Sequence, residues 1–272
     1  MELFRTPIIL NKKNKVMKIL MSTLIITFLF MPSIHFYAQS FDLSPIRSEL
    51  DCSPKYYTPN THHLPIMSKE RASNITLGIN YRRIELQASQ KITKNIVIKA
   101  NGGLYTPINW GCVNHNGNTK FIELGAGYFK HFNNRWIFET YGMYAIEKMD
   151  VVHPKHNFSA DSDHIFLSAN LRRMGIQSSF GYKNQGFLLA FSSRFVKLIY
   201  QNIEGNIGYF QEDQQDYLRT NNNFLLLEPA VTIGKAINKF SFQFQLRYSA
   251  NLTISDFRQN HFSSSFMMGY SF

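Results

Sequence analysis

From Phe262 to Phe272, apolar and small polar residues alternate with a period of two. Phe262, Phe266, Met268, Tyr270 and Phe272 take even positions, and Ser263, Ser265, Gly269 and Ser271 fall on the odd ones between them. Successive side chains of a strand point to opposite faces, so this spacing predicts a strand with one aromatic face and one small, polar face. The preceding segment repeats the pattern: Phe240, Phe242, Phe244, Leu246 and Tyr248 alternate with Ser241, Gln243, Gln245, Arg247 and Ser249. The closing strand of an outer-membrane β-barrel has this form, because its outer face meets lipid and its last aromatic sits at the interface. A soluble periplasmic barrel or sandwich would instead have to bury the aromatic stripe of 240–248 in a core.

Composition agrees with a greasy outside and a wet inside. Aromatic residues make up 15% of the chain, yet the mean hydropathy is -0.22. A helical membrane protein would need repeated apolar runs of about 20 residues. One apolar run is present, Ile19 to Ile34, preceded by Lys12, Lys13, Lys15 and Lys18 and followed by Ala38-Gln39-Ser40. This order predicts a secretory signal peptide over residues 1–40, cleaved after Ser40, with Met17 opening its more typical part. Pro32 and the short length oppose an uncleaved anchor. The net charge of +11 comes from 29 basic and 18 acidic residues; five and one of these lie in 1–40, leaving 24 against 17. The charges are dispersed, which argues against a nucleic-acid partner and suits anionic lipid head groups near the barrel rims.

Residues 41–72 hold Pro45, Pro54, Pro59 and Pro65 and show little alternation. Proline at this density opposes helix and central strand, so an extended periplasmic segment is expected ahead of a barrel over 73–272. Strands are predicted at 73–81, 84–91, 95–106, 119–131, 135–149, 164–182, 186–201, 222–236, 239–251 and 260–272. Short turns at Thr93-Lys94, Asn133-Asn134, Asn184-Gln185 and Asn238-Lys239 use turn-prone residues, and longer polar loops fall at 107–118, 150–163, 202–221 and 252–259. That asymmetry is the habit of outer-membrane barrels. The expected fold is therefore all-β, an antiparallel transmembrane barrel of ten strands, split at Arg82-Arg83. Eight strands, with the N-terminal pair packed elsewhere, is the alternative. Two cysteines, Cys52 and Cys112, invite a disulfide in an exported chain, but this topology puts them on opposite sides of the membrane.

Assigning the greasier parity of each strand to lipid leaves Glu85, Glu123, Glu139 and Glu228 pointing inward with Lys99, Arg172, Arg194 and Arg247. Charges in a low-dielectric lumen must be paired or hydrated. The set is expected to hold the wall together or to line a narrow, selective path. Arg173 beside Arg172 breaks the alternation, and a β-bulge near Met174-Gly175 would restore it. Pro229 calls for a second irregularity.

Signals for chemistry are thin. Asp161, Asp163 and His164 at a barrel mouth could position a water for hydrolysis, but no second acidic pair completes such a site. His153 and His156 suggest a metal only weakly, and His62 and His63 would diverge in an extended chain. No Gly-x-Ser-x-Gly turn, phosphate loop, dinucleotide fingerprint or zinc spacing is present. The acidic run 211–216 reads as a solvated loop. No cofactor and no metal are expected.

The stretch Cys52-Ser-Pro-Lys-Tyr-Tyr-Thr-Pro-Asn60, with Leu64-Pro65-Ile66, Lys69-Glu70, Asn101-Gly102-Gly103, Glu123-Leu-Gly-Ala-Gly-Tyr-Phe129 and Glu139-Thr-Tyr-Gly142, resembles a group of small, uncharacterised outer-membrane β-barrel proteins of Gram-negative bacteria. In that group a Cys-x-Pro-x-Tyr-x-Pro-Asn run precedes the first strand. The resemblance covers most of 52–272 and implies the barrel fold but no activity. The group's cysteine often looks lipidated. Here Asp51 replaces the small residue that a lipoprotein signal requires, so no acyl anchor is expected at Cys52. The function expected is non-catalytic: a narrow passive channel, or a structural or surface-contact protein, with a rim hydrolase as the alternative. The expected partners are outer-membrane lipid and lipopolysaccharide, and the barrel-assembly machinery through Phe266, Met268, Tyr270 and Phe272.

Overall fold

The period-two segments become ten long strands: β1 (Ser73–Asn80), β2 (Arg83–Lys91), β3 (Ile96–Tyr105), β4 (Asn116–His131), β5 (Trp136–His153), β6 (Ile165–Asn184), β7 (Phe187–Gly205), β8 (Asn223–Ile237), β9 (Phe240–Tyr248) and β11 (Phe262–Ser271). A two-residue piece, β10 (Ala250–Asn251), continues β9 along β8. The computed structural model describes residues 56–63, 73–80, 83–105, 116–133, 135–153, 165–205, 212–253, 257 and 259–272. All belong to one compact unit, Ser48–Phe272. The signal-peptide segment, Cys52, Cys112, His156, Asp161, Asp163 and His164 lie outside the described residues.

Each of the ten long strands pairs antiparallel with the long strands before and after it, and the sheet closes where β11 meets β1 through Ile75↔Tyr270 and Leu77↔Met268. The closing seam is completed by reciprocal bonds of 3.0 Å between the backbones of Ser73 and Phe272. Closure removes the free edges of the sheet and satisfies the backbone within the wall, the condition for spanning lipid with strands. β1 and β2 are full members of the ring, so ten strands replace the eight-strand alternative. Among the described residues no helix is long and apolar enough to cross a membrane.

Outward positions carry the apolar belt. Ile75, Leu86, Ile122, Ile146, Ile176 and Val231 are among those exposed, as are all of Phe240, Phe242, Phe244 and Leu246. Toward the short-turn end the belt turns aromatic: Trp136 stacks on Phe180 at 4.9 Å, and Phe240 meets Tyr270 at 5.1 Å. Amphipathic rings at one level are the girdle of a membrane barrel. Phe266, Met268, Tyr270 and Phe272 are exposed on this outer face, as the alternation requires.

The turns show their chemistry locally. Thr93 Oγ1 accepts from the Ile96 amide at 3.1 Å, and Asn133 Oδ1 accepts from Trp136 at 2.9 Å. The β6–β7 turn sits at Gln185-Gly186, one residue later than the sequence suggested. Both residues have positive φ, 47° and 80°, the geometry of the tight hairpin that follows strand twist. A Cβ on Gly186 would also meet the Ala236 carbonyl at 2.4 Å. Between β1 and β2 the link is closed by Asn80, whose Oδ1 accepts from the Arg83 amide at 2.6 Å, which answers the poor turn chemistry of Arg-Arg.

Two expected irregularities take other forms. The register of β6 against β7 shifts between Ser168 and Asn170, not at Met174-Gly175, and Asn202 opposite it has a φ of 52°. Pro229 pairs with Ser193 in an unshifted β7–β8 ladder. Its missing N–H falls where pairing on the other side of β8 is interrupted, between Leu227↔Ala250 and Ala230↔Arg247. The connection after β7, expected to be a polar loop, contains a helix, α1 (Glu212–Thr220), whose Leu218 is fully buried.

Candidate functional site

The lumen is occupied. Residues 56–63, expected in the periplasm as part of an extended segment over 41–72, are extended but run inside the barrel, and every one of them is buried. Tyr56 and Tyr57 lie toward the long-loop end, where the Tyr200 hydroxyl donates to the Tyr56 carbonyl at 3.0 Å. Farther toward the short turns, Gln177 donates to the His63 carbonyl at 2.6 Å, and the His63 ring meets Tyr141 edge-on at 5.2 Å. Pro59 opposes regular strand pairing here. A segment that cannot join a ladder leaves its amides and carbonyls to be satisfied elsewhere, and a polar lumen supplies partners on all sides.

Asn60 is the centre of the contact set. Its carboxamide oxygen accepts from Arg173 at 3.0 Å and from Arg194, while its nitrogen donates to Glu123 at 3.2 Å. The Thr61 amide donates to Glu85 at 2.9 Å, and the His62 amide donates to Gln245 at 2.9 Å. The His62 ring lies 2.8 Å from Ser192 Oγ and 3.9 Å from Glu228, while Tyr57 donates its hydroxyl to Glu228 at 2.7 Å. The histidine rings thus reach different walls, as an extended chain dictates.

Seven of the eight expected lumen charges face inward and are buried: Glu85, Lys99, Glu123, Glu139, Arg194, Glu228 and Arg247. Two ion pairs form among them, Lys99–Glu123 at 3.3 Å and Arg194–Glu228 at 3.7 Å. The others are held differently. Glu139 accepts from the Tyr141 hydroxyl at 2.5 Å, and Arg247 donates to Gln245, Ser263 and Ser265. Gly125 and Gly127, also inward, leave room for bulk from neighbouring strands. A Cβ there would meet Lys99 Cε at 2.9 Å and Tyr141 Cδ1 at 2.4 Å.

Arg172 is the exception: it is exposed on the outer face, and Arg173 is the inward residue. The misreading has a local cause. Leu171, on the same parity as Arg173, also points inward, packing with Tyr56, Tyr57, Leu198, Tyr200 and Leu226. An apolar patch inside the lumen makes the inner parity look like the lipid side. Arg173 joins a cluster that the sequence reading missed. Arg83 and Arg173 lie 2.5 and 3.6 Å from Glu147, and both guanidiniums face the Phe121 ring, at 5.3 and 4.9 Å from its centroid. Gly103 makes way for that ring, since a Cβ would meet Phe121 Cε1 at 2.3 Å. Glu147 shares the parity of Glu139 in one strand, a signal that would have identified it.

Toward the long-loop end the lumen closes with an apolar layer. Tyr56 and Tyr57 pack with Leu171, Leu198, Tyr200 and Leu226, joined by Leu218 of α1 and by Phe257, which stacks on Phe224 at 4.0 Å. The Tyr57 carbonyl accepts from the Asn260 amide at 2.9 Å. Among the described residues no group of three metal-ligating side chains converges.

No protein-family model and no curated protein matches the sequence. Several solved structures resemble this one. The outer membrane protease OmpT from Escherichia coli shares 10% identity over 74% of this chain and 94% of that chain, with a TM-score of 0.46. The translocator domain of the autotransporter NalP from Neisseria meningitidis shares 11% over 74% and 87%, with a TM-score of 0.43. An outer membrane channel from Pseudomonas putida F1 shares 12% over 80% and 100%, with a TM-score of 0.39. The chain itself is a closed antiparallel β-barrel of ten long strands with an apolar outer face. At such identities and scores no activity passes from these proteins to this one.

Proposed function

We propose that this chain is a non-catalytic barrel of the outer membrane, exported with residues 1–40 removed, whose lumen is closed by its own N-terminal segment. It serves as a structural or surface-contact protein and not as an open passive channel. The supporting observation is Asn60, seated between Glu123, Arg173 and Arg194 at the middle of the wall. A small cavity among Tyr57, Glu123, Met143, Arg173, Arg194 and Val196 has about 10 Å³, room for about one water. A continuous ionic path needs far more. The outward aromatic residues of β11, Phe266 to Phe272, are the signal through which the assembly machinery receives the chain.

Planar-bilayer recording tests this reading. The full-length mature protein is expected to be silent, and a variant lacking residues 41–63 to show discrete conductance through the exposed charged wall. Steady conductance by the intact protein would return it to the passive channels.

A further inference from the structure

The outer face of the barrel carries a second constellation, independent of the closed lumen. Three successive rows of outward residues cross β2 to β7 near the long-loop end. Nearest the membrane centre, β4 to β7 contribute Leu124, Tyr144, Met174 and Lys197. The next row is Leu86, Gly102, Ile122, Ile146, Arg172 and Ile199, and above it lie Ile84, Leu104, Lys120, Lys148, Asn170 and Gln201. The upper two rows, Ile199 apart, line a concavity of about 790 Å³. Gly102 leaves a side-chain-sized gap in its floor between Leu86 and Ile122.

The charge arrangement is unusual for a wall that faces lipid. Lys120 and Lys148 are directly opposite each other, and Arg172 lies one step diagonally from Lys148, with Lys197 one step beyond. All four are exposed. Like charges directly opposed across a strand pair are destabilising, and a cation on the lipid face costs more the deeper it lies. Among the described residues the nearby acids lie one row farther from the membrane centre: Asp150, 3.6 Å from Lys148 and also accepting from Ser168, and Glu204. They offset part of the charge and leave the apolar side of Lys120 and Arg172 unanswered.

We infer that this face binds a phosphate-bearing lipid, with the phosphate held by Lys120, Lys148 and Arg172 and an acyl chain lying over Ile122, Ile146 and the gap at Gly102. The chemistry follows from position. The cations sit where the apolar belt gives way to polar residues, the depth of a head-group phosphate. Arginine and lysine are both phosphate binders, the first by its planar fork and the second as a point charge. An apolar floor under a cationic row matches an amphiphile and has no use for a free ion. The residues that would hold the lipid, Lys120, Lys148, Arg172, Ile122, Ile146 and Gly102, all lie on the outward parity, away from the inner segment, so the site stands or falls separately from the lumen's closure.

The test uses the full-length mature protein in detergent, titrated with phosphatidic acid and with phosphatidylcholine and read by native mass spectrometry. Phosphatidic acid is expected to bind preferentially. Lys120→Gln and Arg172→Gln are each expected to weaken it roughly fivefold, the effect of one basic residue at an anionic surface. Gly102→Leu, which fills the gap without changing charge, should also weaken it, while Lys239→Gln at the opposite end should not. The gel shift on boiling confirms that each variant is folded. Equal binding of the two lipids, or indifference to all three substitutions at the site, would overturn the inference. Full displacement by inorganic phosphate at matched concentration would do the same, since it would leave no role for the acyl chain.

Discussion

The two halves of the occupied lumen are built on opposite principles. Toward the long loops, Tyr56 and Tyr57 enter a small hydrophobic core with Leu171, Leu198, Tyr200, Leu226 and Phe257. A few residues on, Asn60 to His63 enter a buried polar network with Glu85, Glu123, Arg194 and Gln245. The same short segment serves both, and the same strands, β6 to β8, line both. The apolar half needs only shape and gains from each buried side chain about 1.5–3 kcal/mol. The polar half gains little net from each pair and loses heavily when one partner is removed. It supplies specificity of placement: Asn60 has a donor and an acceptor to satisfy, and the wall offers both at one height.

If that contrast is right, Glu228→Leu causes the largest loss. It strands Arg194 in a buried site and also removes the acceptor of the Tyr57 hydroxyl. A cost of about 3–5 kcal/mol is expected from breaking a buried pair, measured as the shift of the urea midpoint in lipid vesicles. Leu198→Ala in the apolar half is expected to cost about 2–5 kcal/mol, with the spread set by how far Tyr57 and Tyr200 collapse into the cavity. The decisive feature is what rescue does. Adding Arg194→Met to Glu228→Leu should recover much of the loss, because two apolar residues leave no stranded charge. No second substitution at a distance should rescue Leu198→Ala. Failure of the double variant to recover would erase the distinction between the halves.

The smallest effect is expected at Arg172, where the structure and the sequence reading part. Arg172→Gln should change stability by no more than about 0.5 kcal/mol, as for an exposed site. Arg173→Gln, which takes one of the two guanidiniums from Glu147 and a donor from Asn60, should approach the cost of Glu228→Leu. Urea midpoints of the two neighbours would settle which arginine belongs to the lumen.

Much of this architecture is legible along the chain. Strand alternation is a local property, so β9 and β11 could be read residue by residue from Phe240 to Phe272. The inward charges Glu85, Lys99, Glu123, Glu139, Arg194, Glu228 and Arg247 follow from the same parity. The rule that found them assumes that polar means inside, and it fails where the inside is apolar. That is how Leu171 displaced the assignment by one residue and put Arg172 in place of Arg173. Arg83 escaped because it was taken as part of a turn, and α1 because a nine-residue helix with one buried leucine looks like polar loop in one dimension.

The location of residues 56–63 has a different status. Pro59 says that the segment joins no ladder, and nothing in the order of these residues says on which side of the wall it lies. The periplasm and the lumen both satisfy an extended polar chain, one with water and the other with side chains from β2, β4, β6, β7, β8 and β9. Alternation is a relation between neighbours in sequence, so the amino-acid order by itself determined a closed, two-faced wall and the polar character of most of its interior. What fills that interior depends on groups more than 100 residues apart meeting at one height, as Asn60 meets Arg173 and Arg194. Only the closed ring brings them together.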